Sequence, residues 1–469
     1  MEKNSTYIFQ FWGASPHIET AFELAIFYAE KGNKVDFFWG GDCVTFNEYN
    51  RSPSIGQIFE SQKPYNRMKR ISGKLTSQKI NFHENWINPI KGNVDFEGVS
   101  SIEELKQVKF ENFEVGTATV SSLSQLLKKD LKGDDFQKYL PYLQSIFKSG
   151  LEVYTSLSSL FSNSSPKEII LFNGRFINYA AVAAIAQKFN IRVKFHERAS
   201  TQCKYMCVDY RIHDVESRKK AILNHWENCN NPEKKDLAIE WFENSINKGI
   251  ATDWTSFNSQ FDRLSDDQRQ LEELGLERDK YFVFFQSSDD EYSAVASVKR
   301  NSTEWNNQKE LVQFLSNYSK EKKIVLRIHP HMLEKSKDDL EGWFNFSQKN
   351  KNIVTILPDS KVNSYVLALN AAKVVTAGST IGAETIYLGK PAISCAPCWW
   401  GDAVGAYECY DFKELEKLLK SNLKCNPETI LPFGYYRGHH GYAFKYFEPT
   451  SLFTGKFDGL DVFQDESWI

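Results

Sequence analysis

Cysteine is scarce: 8 in 469 residues, too few and too scattered to staple a small disulfide-built fold. Cys395 and Cys398 have the spacing of a zinc knuckle or a redox pair, and Cys203 and Cys207 lie one helical turn apart. Neither has a second pair at zinc-site spacing, so reduced, structural thiols are expected. Charge of one sign is lacking too. The 57 Lys and Arg against 60 Asp and Glu leave a net charge of -3, so no overall positive field draws in nucleic acid or anionic lipid, and any anion site must be local. No run approaches the roughly 20 apolar residues of a membrane span. The polar start, and the interruption of the next apolar stretch by Gln10, Gly13 and His17, are unlike a signal peptide. Solenoid-period repeats and low-complexity tracts are absent. A cytoplasmic chain is expected, with a peripheral contact at the inner face of a membrane left open.

What is present is a globular composition, 41% hydrophobic and 25% charged, with 35 Phe, 21 Tyr and 11 Trp. The aromatic content suits sugar-stacking surfaces but is more often core. The length exceeds what one core usually organises, so two domains with a cleft are expected. In the second half, strand patterns at 281–286, 323–328, 353–356, 373–377 and 391–395 alternate with helical patterns at 304–318, 338–349, 361–370, 380–388 and 411–420. That alternation predicts a parallel sheet covered on both faces, a Rossmann-like domain. The first half repeats it with strands at 6–12, 34–39, 168–174 and 192–197 and helices at 17–31 and 175–190. Ser15 is expected as the first helix's N-cap, with Pro16 in its first turn. The rhythm blurs over 55–165, and a polar helical stretch, 214–276, leads to the second domain. The expected division is 1–276, 277–430 and a tail, 431–469, packing back on the first domain.

Ligands of such folds bind at the C-terminal ends of the strands. The strand 373–377 ends in Gly378-Ser379-Thr380, a tight turn at a helix N-terminus, where unpaired amides and the helix dipole attract phosphate. Glu384 lies one position too late for a capping box with Thr380 and is placed to accept hydrogen bonds from two ribose hydroxyls. The plainer account is that Ser379 or Thr380 caps the helix and Glu384 favours its dipole. The strand 323–328 runs into His329-Pro330. The proline keeps the turn extended, leaving His329 to donate to a phosphate or the nucleotide, with Arg327 on the same strand face. After the strand 281–286, Ser287 and Ser288 are candidate phosphate or sugar donors, unless this acidic loop is simply solvated. Its acids are consecutive, so alternate side chains diverge; no metal is expected.

These stretches, LRIHPHM and VVTAGSTIGAETIYLGKPAI with FFQSSDDEY and EWNNQ upstream, resemble the capsule polysaccharide biosynthesis proteins. Those are glycosyltransferases of the GT-B architecture, two Rossmann-like domains facing each other across a cleft, and they include bacterial Kdo transferases. Similar His-Pro and Ser-Ser or Ser-Thr motifs occur in bacterial sialyltransferases and polysialyltransferases, where they hold the CMP of a CMP-activated keto-sugar. The resemblance covers 280–395 well and the first half loosely, through ASPHIETAFELA and the FNGRF and FHER segments. It implies donor binding by His329, Ser379, Thr380 and Glu384; Arg327, Pro330 and Gly378, beside them at the same strand ends, complete the expected donor set. The single Ser-Thr in place of a double serine leaves the nucleotide open.

Transfer also needs a base or nucleophile, and three strand ends of the first half offer candidates. Gly13 permits close backbone approach after the first strand, and His17 and Glu19 follow it. Asn173-Gly174-Arg175 ends another strand, where Arg175 can clamp an acidic sugar's carboxylate. His196-Glu197-Arg198 ends a third. The order of preference for catalysis is Glu197, His17, Glu19, with Gly13, Asn173, Arg175 and Arg198 holding sugar or acceptor. A solvated helix turn, a surface charge and a local ion pair are the respective plain alternatives. The tail 433–447 is aromatic and glycine-rich, fit for an acceptor groove or for packing back. The expected activity is metal-independent transfer from a nucleotide-sugar, CMP-Kdo being the favoured example, to a surface polysaccharide or glycolipid, with no cofactor. A UDP-sugar 2-epimerase is the enzymatic alternative, disfavoured because Thr385 follows Glu384 where paired glutamates are usual; a silent glycan-binding partner is the other.

Overall fold

Alternation along each strand sends side chains to two faces, and both faces here are buried. In the strand Tyr281–Phe285, Tyr281, Val283 and Phe285 enter one core while Phe282 and Phe284 enter another. In Ser5–Gln10, Tyr7 and Phe9 face one core and Ile8 the other. Strands buried on both faces are the mark of a helix-covered parallel sheet. The computed structural model describes residues 5–41, 43–47, 51–52, 57–58, 62–75, 79–92, 94–248, 250–251, 254–255, 267–287, 303–319, 321–334, 337–451 and 454–463.

The chain divides into two compact units. The first holds residues up to 213 and those from 441 onward, and the second holds most of 214–440. The first sheet contains β1 (Ser5–Gln10), β2 (Lys34–Trp39), β3 (Ile80–His83), β4 (Glu168–Phe172), β5 (Arg192–Arg198) and β6 (Lys204–Val208). Its order is β3-β2-β1-β4-β5-β6, with the short strand Tyr442–Ala443 added outside β6. All pairs are parallel except β5 with β6 and β6 with that last strand. Helices α1 (His17–Glu30), α2 (Gln62–Lys74), α3 (Val115–Leu127), α4 (Leu140–Asn163) and α5 (Ile177–Lys188) belong to this unit.

The second sheet contains β7 (Tyr281–Phe285), β8 (Lys323–Arg327), β9 (Ile353–Ile356), β10 (Lys373–Thr376), β11 (Ala392–Ser394) and β12 (Ala406–Glu408), in the order β9-β8-β7-β10-β11-β12 and wholly parallel. Its helices include α6 (Val215–Glu227), α7 (Lys234–Glu243), α8 (Gln308–Tyr318), α9 (Lys337–Gln348), α10 (Ser364–Asn370), α11 (Ile381–Tyr387), α12 (Phe412–Lys420) and α13 (Leu431–His439). Two Rossmann-like sheets are therefore present, as the strand and helix rhythm predicts. In each, the first three strands run outward one way and the next three the other. The order reverses between β1 and β4 in one unit and between β7 and β10 in the other, which is where such sheets open to ligands.

Three expectations change. The boundary expected at 276/277 falls at 213/214, because α6 and α7 pack under α13 in the second unit. The tail divides: α13 stays with the second unit, and only residues from 441 return to the first. There the Glu23 carboxylate accepts from the backbone N–H groups of Lys445 (2.6 Å) and Tyr446 (3.0 Å), and the Arg70 guanidinium donates to the Val462 carbonyl. Finally, Pro16 rather than Ser15 sits at the N-cap of α1, and no side chain caps it. Among the described residues, no helix is long and apolar enough to cross a membrane.

Candidate functional site

At the first reversal, the β1 exit is held shut by its neighbour. The Tyr179 hydroxyl, on α5, accepts from the backbone N–H groups of both Phe11 (2.9 Å) and Trp12 (2.8 Å). These are the amides that would face a phosphate at a dinucleotide-binding turn. The loop continues through Gly13, whose carbonyl accepts from Arg67 of α2.

Around that loop the strand-end residues converge. His17 Nε2 lies 3.8 Å from Glu197 Oε1, and its ring stacks on Trp12 and lies 3.9 Å, centroid to centroid, from Phe172. Burial, with Arg198 and His196 nearby, holds the His17 pKa well below the usual imidazole value, so the ring is neutral at pH 7. Glu197 is the more accessible partner, its side chain 21% exposed against 8% for His17. Its carboxylate accepts from Asn173 Nδ2 (2.8 Å) and from the Arg198 backbone N–H (3.0 Å). Asn173 reaches it from a left-handed turn, φ 54°, a conformation asparagine tolerates better than most residues. The Arg198 guanidinium donates to the Ser15 carbonyl (2.7 Å). Arg175 is buried, donates to Gln125 and lies over the Phe176 ring.

Glu19 differs from expectation. Both it and Arg67 have fully buried side chains, 3.1 Å apart, and burial raises the Glu19 pKa against the pull of Arg67. With no accessible surface it faces no substrate; the pair anchors α1 to α2 beneath the Gly13 loop. Several buried polar atoms at this edge have no partner among the described residues: Gln10 Oε1, His17 Nδ1, Asn173 Oδ1 and both ring nitrogens of His196. Such groups are rare in native proteins, and their concentration at one sheet edge is typical of a functional site.

The second reversal lies between β7 and β10. Thr376, at the end of β10, pairs with Phe285 of β7, which in turn pairs with Arg327 of β8. The ends of these three neighbouring strands therefore bring Gly378-Ser379-Thr380, Gln286-Ser287 and His329-Pro330 to one edge. Gln286 links them, its Oε1 accepting from the His329 backbone N–H (3.0 Å). Gln308 brackets Ser287, accepting from its N–H (3.0 Å) and donating to its carbonyl (2.8 Å). The buried Ser287 hydroxyl has no partner among the described residues. In the turn, the Ser379 N–H donates to Thr376 Oγ1 (3.2 Å), while the N–H groups of Gly378 and Thr380 have no acceptor among the described residues. Thr380 is exposed, and Ser379 and His329 half-buried. Ser288 lies outside the described residues.

Two residues are turned inward. Glu384 is buried; the carboxylate that the sequence offers to two ribose hydroxyls accepts here from two protein hydroxyls, Ser245 (2.8 Å) and Tyr365 (2.8 Å). Burial raises its pKa. Arg327 is also buried and donates to the carbonyls of Leu357 and Ser360, and burial lowers its pKa to about 10. Both hold the wall behind the turn. Cys395 and Cys409 are buried free thiols with sulfurs 3.6 Å apart. Among the described residues, no group of three His, Cys, Asp or Glu side chains is gathered as metal ligands are.

Tyr179, Arg67, Gln286 and Gln308 escape the sequence reading. The strand-end rule that selects Ser287 would also have selected Gln286, whereas the roles of Tyr179, Arg67 and Gln308 depend on contacts made only in the fold.

No family model matches the chain, and no curated protein matches its sequence. Among solved structures it is similar to a KpsC β-Kdo 2,7 transferase of Thermosulfurimonas dismutans, 13% identical over 60% of this chain and 80% of that one, TM-score 0.35. It is also similar to a UDP-GlcNAc 2-epimerase of Methanocaldococcus jannaschii in complex with UDP-GlcNAc and UDP, 12% identical over 92% and 98%, TM-score 0.29. A third is the UDP-GlcNAc 2-epimerase of Neisseria meningitidis bound to UDP-GlcNAc, 9% identical over 92% and 96%, TM-score 0.30.

Proposed function

We propose that the chain is a metal-independent glycosyltransferase. It would move a sugar from a nucleotide donor, with a CMP-activated keto-acid such as CMP-Kdo favoured by the motif resemblance, to a surface polysaccharide or lipid-linked glycan. The observation that carries the assignment of nucleotide to the second unit is the contrast between the two strand-order reversals. Tyr179 already satisfies the phosphate-facing amides of the first. The second keeps the amides of Gly378 and Thr380 and the hydroxyls of Ser379 and Thr380 without protein partners among the described residues.

In this reading His329, Ser379, Thr380 and the turn amides donate to the phosphate, stabilising the charge that grows on it as the glycosidic bond breaks. Glu384 and Arg327 keep the surrounding wall in place, and the buried Ser287 hydroxyl lies behind the same strand ends. Glu197 acts as general base. Held by Asn173 and the Arg198 amide, it takes the proton of the acceptor hydroxyl as that oxygen bonds to the anomeric carbon and the nucleotide departs with the bonding electron pair. Neutral His17 packs beside it and adds no competing positive charge.

Thermal-shift measurements with CMP, UDP and GDP test the donor site. CMP should stabilise the protein, by about 2.7 kcal/mol at a hundredfold excess over Kd, and His329→Ala should abolish the effect. No shift with any of the three would overturn the assignment. Incubating the enzyme with UDP-GlcNAc alone provides the opposing test, since an interconverted sugar without acceptor would make it an epimerase.

A further inference from the structure

At the opposite, N-terminal edge of the first sheet is a cavity of ≈ 580 Å³, walled by the starts of β1, β4 and β5, the end of β6, the last turns of α1 and Tyr442. Its volume falls within the roughly 300–1,000 Å³ of ligand pockets. The walls carry aromatic rings. Tyr205 and Tyr442 pair across the added strand with centroids 5.9 Å apart, and Tyr442 is 62% and Phe27 41% exposed. These are two flat apolar faces turned to solvent at one pocket.

The walls also hold Lys31, Lys167, Arg192 and Lys194 against one acid, Glu168. Two of the four cations are answered by acids. Lys194 Nζ lies 3.0 Å from Glu168 and donates to the Tyr28 hydroxyl (2.7 Å). Arg192 pairs with Asp209 (2.7 Å), and Lys31 Nζ lies 4.1 Å from the Phe27 ring centroid. Lys167 is exposed and has no side-chain partner among the described residues. Two cations, Lys31 and Lys167, thus face no acid among the described residues, which suits the carboxylates of an acidic glycan. Exposed ring faces stack on the C–H faces of a pyranose, and the pocket's hydroxyls and amide suit sugar hydroxyls.

We propose that this cavity, with its Tyr442 and Phe27 faces and the Lys167 cation, is a binding site for a carboxylated sugar unit of an acidic glycan. It shares no residue with the sites assigned to transfer, so the two ideas fail separately. The test is calorimetric titration of the full chain with oligogalacturonate, oligosialic acid and hyaluronan tetramers, each beside its carboxyl methyl ester. At least one acid form should bind, more weakly as salt rises, and its ester at least about tenfold more weakly. The double variant Tyr442→Ala, Lys167→Glu, both at exposed positions, should weaken binding about tenfold while any nucleotide-induced thermal shift persists. Binding of none of the acids, equal binding of acid and ester, or unchanged binding by the double variant would each overturn the assignment.

Discussion

His196 is a fully buried imidazole whose two nitrogens have no partner among the described residues, and burial lowers its pKa to about 3. Its unfolded value is about 6.5. Between these values only the unfolded chain takes up the proton, so folding stability falls as pH drops below about 6.5, by up to about 1.4 kcal/mol per pH unit for this one group. Replacing it with phenylalanine removes both the proton and the unsatisfied nitrogens. His196→Phe should therefore keep or raise the pH 7 melting temperature. In urea titrations between pH 6 and 4 it should lose stability less steeply than the parent; an unchanged slope would refute the assignment. Glu197 makes the complementary case, because its value lies in charge rather than packing. Glu197→Gln should lower kcat about 10²- to 10⁴-fold with the nucleotide-induced shift retained. Full activity in this variant would remove Glu197 as the base.

At the scale of single elements, the turn between β10 and α11 depends on Gly378, at φ 86°, where an added Cβ would stand 3.2 Å from the Pro397 carbonyl oxygen. Gly389, at φ 87°, closes α11 with open space around it. Alanine at either should cost about 1–2 kcal/mol through the left-handed backbone alone. Only Gly378→Ala should also weaken nucleotide binding. Equal affinity in the two variants, measured by titration, would show that the turn is no part of the site. Strands such as β7 and β1 were legible because their alternating apolar residues fill two cores, which is what a doubly covered sheet requires. The short strands β3, β6 and β12 were not, since each buries only two side chains or fewer and leaves little periodic signal. Likewise the strand-end position of Glu197 and His329 can be read from pattern. That Glu19 faces Arg67, or that Glu384 holds Ser245 and Tyr365, cannot be read this way: each partner is brought near only by the fold, and local sequence around a carboxylate does not reveal which way it turns.

For the molecule as a whole, the decisive feature is the return of the chain after residue 440 to the first unit, through the strand beside β6 and the two amides held by Glu23. Burial raises the pKa of that carboxylate, yet each hydrogen bond it accepts is charge-assisted when it is ionised. Truncation after His440 should speed hydrogen exchange of β1, β6 and α1 amides while leaving β7, β8 and β10 unchanged. Uniform protection across both sets would mean that the returning segment is dispensable. During synthesis, the ribosome must deliver every residue of the second unit before the first can receive its outer strand. Until then a nascent chain carries β6 with one edge uncovered, an invitation to wrong partners, so the earliest-made unit is the last to be completed.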